Sequence, residues 1–339
     1  MSLETLQIIW FVLFGVLIAG YAILDGFDLG VGIIHLFAKS EEEKKININS
    51  IGPVWDGNEV WLLTAGGALF AAFPIVYATV FSGFYIAIML LLLGLILRAV
   101  AMEFRSQVES DKWRKFWDIS FGIGSLLPAL LFGVAVGNLM RGIPLENGIF
   151  TGTFLGLLNP FSILVGLLSL TMFVMHGAIY LNMKTEGDYQ FRMKTIASKL
   201  WIVFVVLFFF TTFYTFFEAN YLFDGVLKNS IFWLFFLLTF GSMIFTPVLI
   251  SDKIEWKAFL SSSFTIIGLI GITAVGMFPK LVPNINDMSQ SLTITNASST
   301  TPTLWAMFII VLIGMPFVIG YTIFIYKVFW GKTGAENIY

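Results

Sequence analysis

Long apolar stretches separated by short polar connections dominate this chain. A helix needs about 20 mostly apolar residues to cross a bilayer core. Nine stretches approach or exceed that length, at approximately residues 6–34, 55–73, 80–102, 119–140, 154–183, 200–218, 231–250, 258–278 and 303–328. The second is the weakest because the segment from Trp55 to Trp61 is polar, so eight spans remain an alternative. The pattern predicts an all-α, polytopic membrane protein with about nine transmembrane helices.

The composition supports this prediction. The chain has 339 residues, of which 58% are hydrophobic and 12% are charged, whereas soluble domains average about 45–50% apolar and about 25% charged residues. No connection is long enough for a separate soluble domain, so residues 1–339 are expected to form one integral membrane domain. The net charge of −2 argues against nucleic acid as a partner. The absence of cysteine excludes thiolate metal sites.

The connections differ in charge, which predicts their orientation. Cytoplasmic loops of membrane proteins carry an excess of Lys and Arg. The cation-rich connections and tail contain Arg105, Lys112, Arg114, Lys115, Lys184, Arg192, Lys194, Lys199, Lys253, Lys257, Lys327 and Lys332. The connections between them carry one cation each, namely Arg141, Lys228 and Lys280. These counts place the C-terminus in the cytoplasm, and counting back through nine spans places the N-terminus outside.

Several ionisable residues interrupt or end the apolar stretches. They are Asp25, Asp28, Asp56, Glu59, Arg98, Glu103 and Asp118. A charged side chain in the middle of a spanning helix costs at least about 2.5 kcal/mol on insertion scales, so such residues face protein or water and are usually functional. The spacing of Asp25 and Asp28, and of Asp56 and Glu59, places each pair on one helix face. All seven are expected in the cytoplasmic half, as one proton-conducting or substrate-binding vestibule.

Structural roles are the alternative for these residues. Asp25 and Asp28 could be acids bonded to a neighbouring Arg or to backbone, and Asp56 could be an N-cap at the start of the second span. Glu59, one turn further on, would face the surface or line the vestibule. A buried guanidinium is costly without an anion. Arg98 is therefore expected to pair with an acid, and the candidates are Asp28, Glu103 and Asp118.

The glycines and histidines favour structural roles. Gly20, Gly26, Gly30 and Gly32 form a pattern of small residues typical of close helix packing. The sequence has two histidines: His35, expected to be solvated in a loop, and His176, expected to be a core residue bonded to a carbonyl. Two histidines at different depths cannot supply the axial ligands of several haems. No catalytic residue, cofactor-binding residue or metal site is therefore predicted in this chain.

Five segments resemble subunit II of the cytochrome bd quinol oxidases. They are Asp25–Gly32, Trp55–Pro74, Phe81–Tyr85, Arg98 with Glu103–Arg105, and Leu158–Phe161. The resemblance implies two four-helix bundles plus one peripheral helix. It also implies a terminal oxidase of the bacterial cytoplasmic membrane, in which quinol is oxidised and dioxygen is reduced to water. Haem b and haem d would be ligated by subunit I, which would also bind quinol, and small single-helix subunits and membrane lipid would complete the surroundings.

The resemblance also implies roles for individual residues. Asp56 matches an acid of the cytoplasmic proton path, and Asp25 and Asp28 match the paired acids of the first helix. Arg98 and Asp118, together with Glu103, would support the haem site across the subunit interface, and a haem propionate on the adjoining chain is a further possible partner for Arg98. Family members can carry Gln at Glu59, so an essential carboxylate is not implied there. A proton-coupled secondary transporter and a purely structural or assembly subunit remain alternative functions.

Overall fold

The computed structural model describes residues 1–252 and 254–336. Lys253, one of the loop cations counted above, lies outside the described residues. The described chain is almost entirely helical, with the helices α1 (Leu3–His35), α2 (Glu41–Ile51), α3 (Trp55–Ala72), α4 (Pro74–Gly83), α5 (Tyr85–Phe104), α6 (Asp111–Arg141), α7 (Pro160–Lys184), α8 (Gly187–Glu218), α9 (Ser230–Ser251), α10 (Trp256–Met277) and α11 (Thr301–Val328). Short 3-10 turns lie at Leu155–Leu157, Asn220–Phe223, Val226–Lys228 and Met288–Gln290.

Apart from the short α2 and α4, the described helices form two groups of four and one peripheral helix. In the first group, α1 packs against α3 and α6, and α5 packs against α6. In the second group, α7 packs against α8 and α10, and α9 packs against α8 and α10. Helix α11 lies on α1 and α3, and of its 28 residues Leu304 alone is buried. This arrangement agrees with the two four-helix bundles and peripheral helix that the resemblance implied.

Eight of the described helices, α1 and α5 to α11, are long and apolar enough to cross a membrane. Helix α3 packs along α1, but its first turns contain Asp56, Asn58 and Glu59. The eight-span and nine-span interpretations therefore differ only in α3, and the count stays a prediction. Helix α3 ends before Pro74, which begins the short α4, because proline suits the first turn of a helix and disrupts its interior.

Helix α1 lies at the centre of the fold because its glycines allow close approach. A Cβ atom on Gly30 would lie 2.0 Å from the Phe173 carbonyl oxygen of α7, and one on Gly32 would lie 2.0 Å from Ser125 Oγ of α6. Cβ atoms on Gly20 and Gly26 would meet the rings of Trp61 and Phe173. The predicted packing role of these glycines is confirmed.

A small folded cap covers one end of the bundles. It contains two antiparallel strand pairs, β1 (Leu145–Glu146) with β2 (Ile149–Phe150), and β3 (Lys280–Val282) with β4 (Leu292–Thr293). Asn284 joins the two pairs, since its side chain accepts from the Leu145 N–H and donates to the Leu145 carbonyl. Helices α1 and α11 begin at this end, where the Trp10 indole donates to the Leu304 carbonyl.

The cation-rich connections meet at the opposite end, where the C-terminal tail folds back over them. The Thr333 N–H donates to the Lys184 carbonyl at 2.7 Å, and Lys184 Nζ donates to the Phe329 carbonyl at 2.7 Å. Lys332 Nζ lies 3.3 Å from Glu255 Oε1 in the α9–α10 connection. The tail thus ties the end of α11 to α7 and α10.

Candidate functional site

A buried ion pair between α5 and α1 forms the centre of the candidate site. Arg98 Nη1 lies 2.7 Å from Asp25 Oδ1, and neither side chain is exposed. Arg98 Nη2 also lies 3.4 Å from Glu59 Oε2 on α3. Arg98 is paired as expected, but the three candidate partners, Asp28, Glu103 and Asp118, were the wrong ones. We call Asp25, Asp28, Asn58, Glu59 and Arg98 the Arg98 cluster.

Asn58 connects this cluster to Asp28. Its Nδ2 donates to Asp28 Oδ2 at 2.8 Å and to the Leu24 carbonyl at 3.2 Å, and its Oδ1 accepts from the Tyr326 hydroxyl at 3.0 Å. Sequence reasoning missed Asn58 and Tyr326 because neither carries a charge. The signal available for Asn58 was its place between two acids, Asp56 and Glu59, at the start of an apolar helix.

The two acids of helix α3 lie at different depths, Asp56 at the surface and Glu59 nearer the interior. Asp56 is exposed in the first turn of α3, and Glu59, on the next turn, retains 22% side-chain exposure beside Arg98. The N-cap of α3 is Val54, with no side-chain cap hydrogen bond. The N-cap interpretation of Asp56 is therefore wrong. The Asp56 side chain makes no hydrogen bond or ion pair with any described residue.

Several buried atoms around the ion pair are open for hydrogen bonding. Asp25 Oδ2, Asp28 Oδ1, the Tyr21 hydroxyl and Arg98 Nε have no hydrogen-bond partner among residues 1–252 and 254–336. Buried polar groups are rarely left unpaired without a functional reason. Ionised carboxylates accept hydrogen bonds at both oxygens and can also be protonated there. The Arg98 cluster thus combines fixed charges with open oxygens that can hold a proton.

Asp118 belongs to a second, separate cluster. His35 Nε2 lies 2.8 Å from Asp118 Oδ1, Lys44 Nζ lies 2.7 Å from Oδ2, and Arg105 Nε lies 2.5 Å from Oδ1. Arg105 Nη2 also lies 2.6 Å from Glu41 Oε1. We call these five residues the Asp118 cluster. They join the end of α1, α2, the α5–α6 connection and α6.

The Asp118 cluster corrects the expectation for His35. His35 is 1% exposed, so the prediction of a solvated loop histidine is wrong.

Burial by itself lowers the pKa of Arg105, but the carboxylates of Asp118 and Glu41 outweigh burial and raise it. The network is therefore charged and fixed, which is typical of a structural clamp.

Glu103 lies in neither cluster. Its side chain is exposed, whereas Arg98, Ala101, Met102 and Arg105 are buried. Residues three and four apart share a helix face, and Glu103 is off the face formed by Arg98, Ala101 and Arg105. The expectation of one vestibule holding all seven ionisable groups is therefore wrong, because the side chains divide into two clusters and two exposed residues, Asp56 and Glu103.

His176 is a core residue with both ring nitrogens occupied. Nδ1 lies 2.7 Å from Ser262 Oγ, and Nε2 lies 3.1 Å from the Ile23 carbonyl oxygen. The ring stacks on Phe259, with the ring centroids 4.6 Å apart. The prediction of a core histidine bonded to a carbonyl is confirmed.

Comparisons with known proteins bear on this architecture. The profile of the cytochrome bd terminal oxidase subunit II family matches residues 6–329. The chain is 37% identical to cytochrome bd-I ubiquinol oxidase subunit 2 of Escherichia coli strain K12, over 99% of this chain and 97% of the relative. It is 35% identical to cytochrome bd ubiquinol oxidase subunit 2 of Bacillus subtilis strain 168, over 96% of each. The fold is similar to a chain in the structure of the bd oxidase from Geobacillus thermodenitrificans, with a TM-score of 0.80 at 16% identity, over 96% of this chain and 99% of that one.

Proposed function

Because this chain belongs to the cytochrome bd terminal oxidase subunit II family, we propose that its Arg98 cluster delivers cytoplasmic protons to the site of dioxygen reduction. The chain is a multi-pass subunit of a bacterial quinol oxidase complex that also contains a subunit I. Family membership favours this role over the proton-coupled transporter considered above. The observation that carries the proposal is the series of acids from exposed Asp56, through half-buried Glu59, to fully buried Asp25 and Asp28.

The proposed path begins at Asp56. An exposed carboxylate in the first turn of α3 can collect protons from water, and Glu59 on the same helix face is its neighbour. Glu59 contacts Arg98, and Arg98 contacts Asp25. Arg98 itself stays protonated, since guanidinium groups do not release protons in proteins. The carboxylates therefore bind and release the proton, and Arg98 fixes their positions.

We propose a supporting role toward the haem sites for Arg98, Glu103 and Asp118. The bd oxidase family implies haems in the complex, and haem needs axial ligands such as His or Met. The two histidines here do not fit, because His176 uses both nitrogens on protein atoms, while His35 contacts Asp118 through Nε2 and its Nδ1 is buried within this chain. Haem b and haem d would thus be ligated by subunit I. Arg98 and Asp118 would support these sites indirectly, by holding the helices of this chain in register.

The remaining proposals concern orientation and partners. The C-terminal tail contacts the cation-rich connections through Lys332 and Thr333, and the excess of cations there supports a cytoplasmic C-terminus. Quinol would bind subunit I. The exposed apolar surface of α11 would contact lipid or a small single-helix subunit, since no residue in its most apolar stretch is buried in this chain.

The test of the proposed function is an Asp28→Asn variant of the assembled complex. The variant keeps the hydrogen-bonding shape of Asp28 and removes its titration. We expect quinol-driven oxygen consumption to fall by about tenfold or more, as for loss of a general acid or base, with a normal haem absorption spectrum. The matched control is Asp111→Asn, whose side chain is fully exposed at the start of α6. Normal turnover in Asp28→Asn, or equal losses in both variants, would contradict the proposal.

A further inference from the structure

The peripheral helix α11 sends one polar side chain into the Arg98 cluster. The Tyr326 hydroxyl donates to Asn58 Oδ1 at 3.0 Å. Tyr326 and its neighbour Ile325 pack against the main apolar core, although almost all of α11 is at least partly exposed. Tyr326 thus links α11, which contributes little to the core, to the buried Asn58 side chain of α3.

The Tyr326 contact completes the hydrogen bonding of the Asn58 amide. An amide has two N–H donors and one acceptor oxygen. Asn58 Nδ2 donates to the Leu24 carbonyl and to Asp28 Oδ2, both on α1, while Oδ1 accepts from Tyr326. The hydroxyl therefore holds the oxygen of the amide toward α11 and its NH2 group toward α1.

This arrangement distinguishes the two oxygens of Asp28. Oδ2 is occupied by Asn58 at 2.8 Å, whereas Oδ1 is buried and has no hydrogen-bond partner in the described part of the chain. An incoming proton meets no competing donor at Oδ1. As long as Asn58 keeps its orientation, Oδ1 is the oxygen available for protonation.

The end of α11 is fixed where Tyr326 lies. Lys184 Nζ donates to the carbonyl of Phe329, three residues after Tyr326, and the Thr333 N–H donates to the Lys184 carbonyl. Lys184 is 8% exposed, so this connection lies within the protein. The contact between Tyr326 and Asn58 thus lies beside a fixed end of α11.

We propose that Tyr326 is a positioning residue for proton transfer through Asp28. It fixes Asn58 so that Asp28 Oδ2 stays occupied while Oδ1 binds and then releases the proton. The O–H bond at Asp28 Oδ1 forms as the O–H bond of a protonated neighbouring carboxyl group of the Arg98 cluster, Asp25 or Glu59, breaks, and it breaks in turn when the proton moves on. The inference rests on the proposed function, because it assigns the atom at which Asp28 would carry the proton.

The test is Tyr326→Phe in the assembled complex, which removes only the hydroxyl. We expect kcat for quinol oxidation to fall about fivefold, the effect of a net hydrogen bond of about 1 kcal/mol. The KM for quinol and the haem spectrum should not change, and the solvent isotope effect in D2O should increase. The matched control is Tyr321→Phe, because Tyr321 is 60% exposed on the same helix and its substitution should leave all four values unchanged.

A second measurement separates this inference from the proposed function. In an Asp28→Asn background, Tyr326→Phe should cause no further loss, because residues that act through one another are not additive. If Asp28→Asn is slow but Tyr326→Phe is fully active, the positioning role is overturned while the proposed function stands. The same holds if the double variant loses turnover by the product of the two single losses. Fully active Asp28→Asn would overturn the proposed function. Loss of haem or of assembly in Tyr326→Phe would show a structural role and also overturn the inference.

Discussion

Arg98 Nη1 lies 2.7 Å from Asp25 Oδ1, and both side chains are completely buried. Removing two charges from water is costly, and their attraction offsets this cost only when the geometry is good. The pair joins α5 to α1, the helix on which the first bundle is built. The contact that joins these two helices therefore also fixes one of the acids proposed to handle protons.

Arg98→Ala should destabilise the subunit more than almost any other single substitution of a basic residue. It leaves Asp25 buried without its counter-ion, which typically costs about 3–5 kcal/mol. We expect less assembled complex and less haem d in purified membranes. The control is Arg114→Ala, because Arg114 is partly exposed and lies 4.0 Å from the exposed Asp111. Equal yields of the two variants would contradict the role of the pair.

A double variant tests whether the loss comes from the unpaired charge. Asp25→Leu with Arg98→Met replaces both charges by apolar side chains, and such replacements are often neutral or stabilising. Thermal unfolding of the complex should show recovery of much of the stability lost in Arg98→Ala, while turnover stays low. If the double variant is as unstable as Arg98→Ala, packing and not charge explains the loss.

Asp118→Asn should loosen the end of the first bundle where α1 meets α2 and α6. The variant removes the carboxylate that contacts His35, Lys44 and Arg105. Loss of one partner from such a network should cost about 3 kcal/mol or more. Limited proteolysis should cut residues 36–54 faster than in the unmodified complex. Asp111→Asn, whose side chain is exposed, should keep the original rate, and an unchanged rate in Asp118→Asn would contradict the clamp.

The ion pair between Glu43 of α2 and Arg192 of α8 should contribute a pH-dependent stability. Burial by itself raises the pKa of Glu43, but hydrogen bonds from Arg192 and from the Lys39 N–H outweigh burial and hold it below its ordinary value of 4.5. Since the pKa is lower in the folded state, the stabilisation is present above about pH 4.5 and is lost as the pH falls through the folded-state pKa.

Glu43→Gln should therefore lower stability at pH 7 and lower it less at about pH 3, because more of Glu43 is protonated there. The difference should be small, about 0.5 kcal/mol, because both side chains are partly exposed. Thermal unfolding at the two pH values measures it. Glu42→Gln is the control, since Glu42 is exposed on the same helix. The same difference at both pH values would contradict the assigned pKa direction.

The sequence predicted the helices of this fold better than it predicted the contacts between their side chains. The apolar stretches and the glycines of α1 indicated the helices and their close packing, because both signals are local. The partner of Arg98 depended on the rotation of α5 against α1 and α3, which no local pattern fixes. The buried position of His35 likewise follows from the approach of α6 and α2. Asn58 and Tyr326 were missed because buried neutral polar residues look ordinary in sequence.

Asp56→Asn tests the central claim most directly, because Asp56 is the exposed acid at which the proposed proton path begins. In proteoliposomes containing the assembled complex, quinol-driven oxygen consumption and proton uptake from the cytoplasmic side should both fall by about tenfold or more, with a normal haem spectrum. Asp188→Asn, an exposed acid in the first turn of α8, should leave both rates unchanged. Full turnover and full proton uptake in Asp56→Asn, or loss of haem together with activity, would contradict the account.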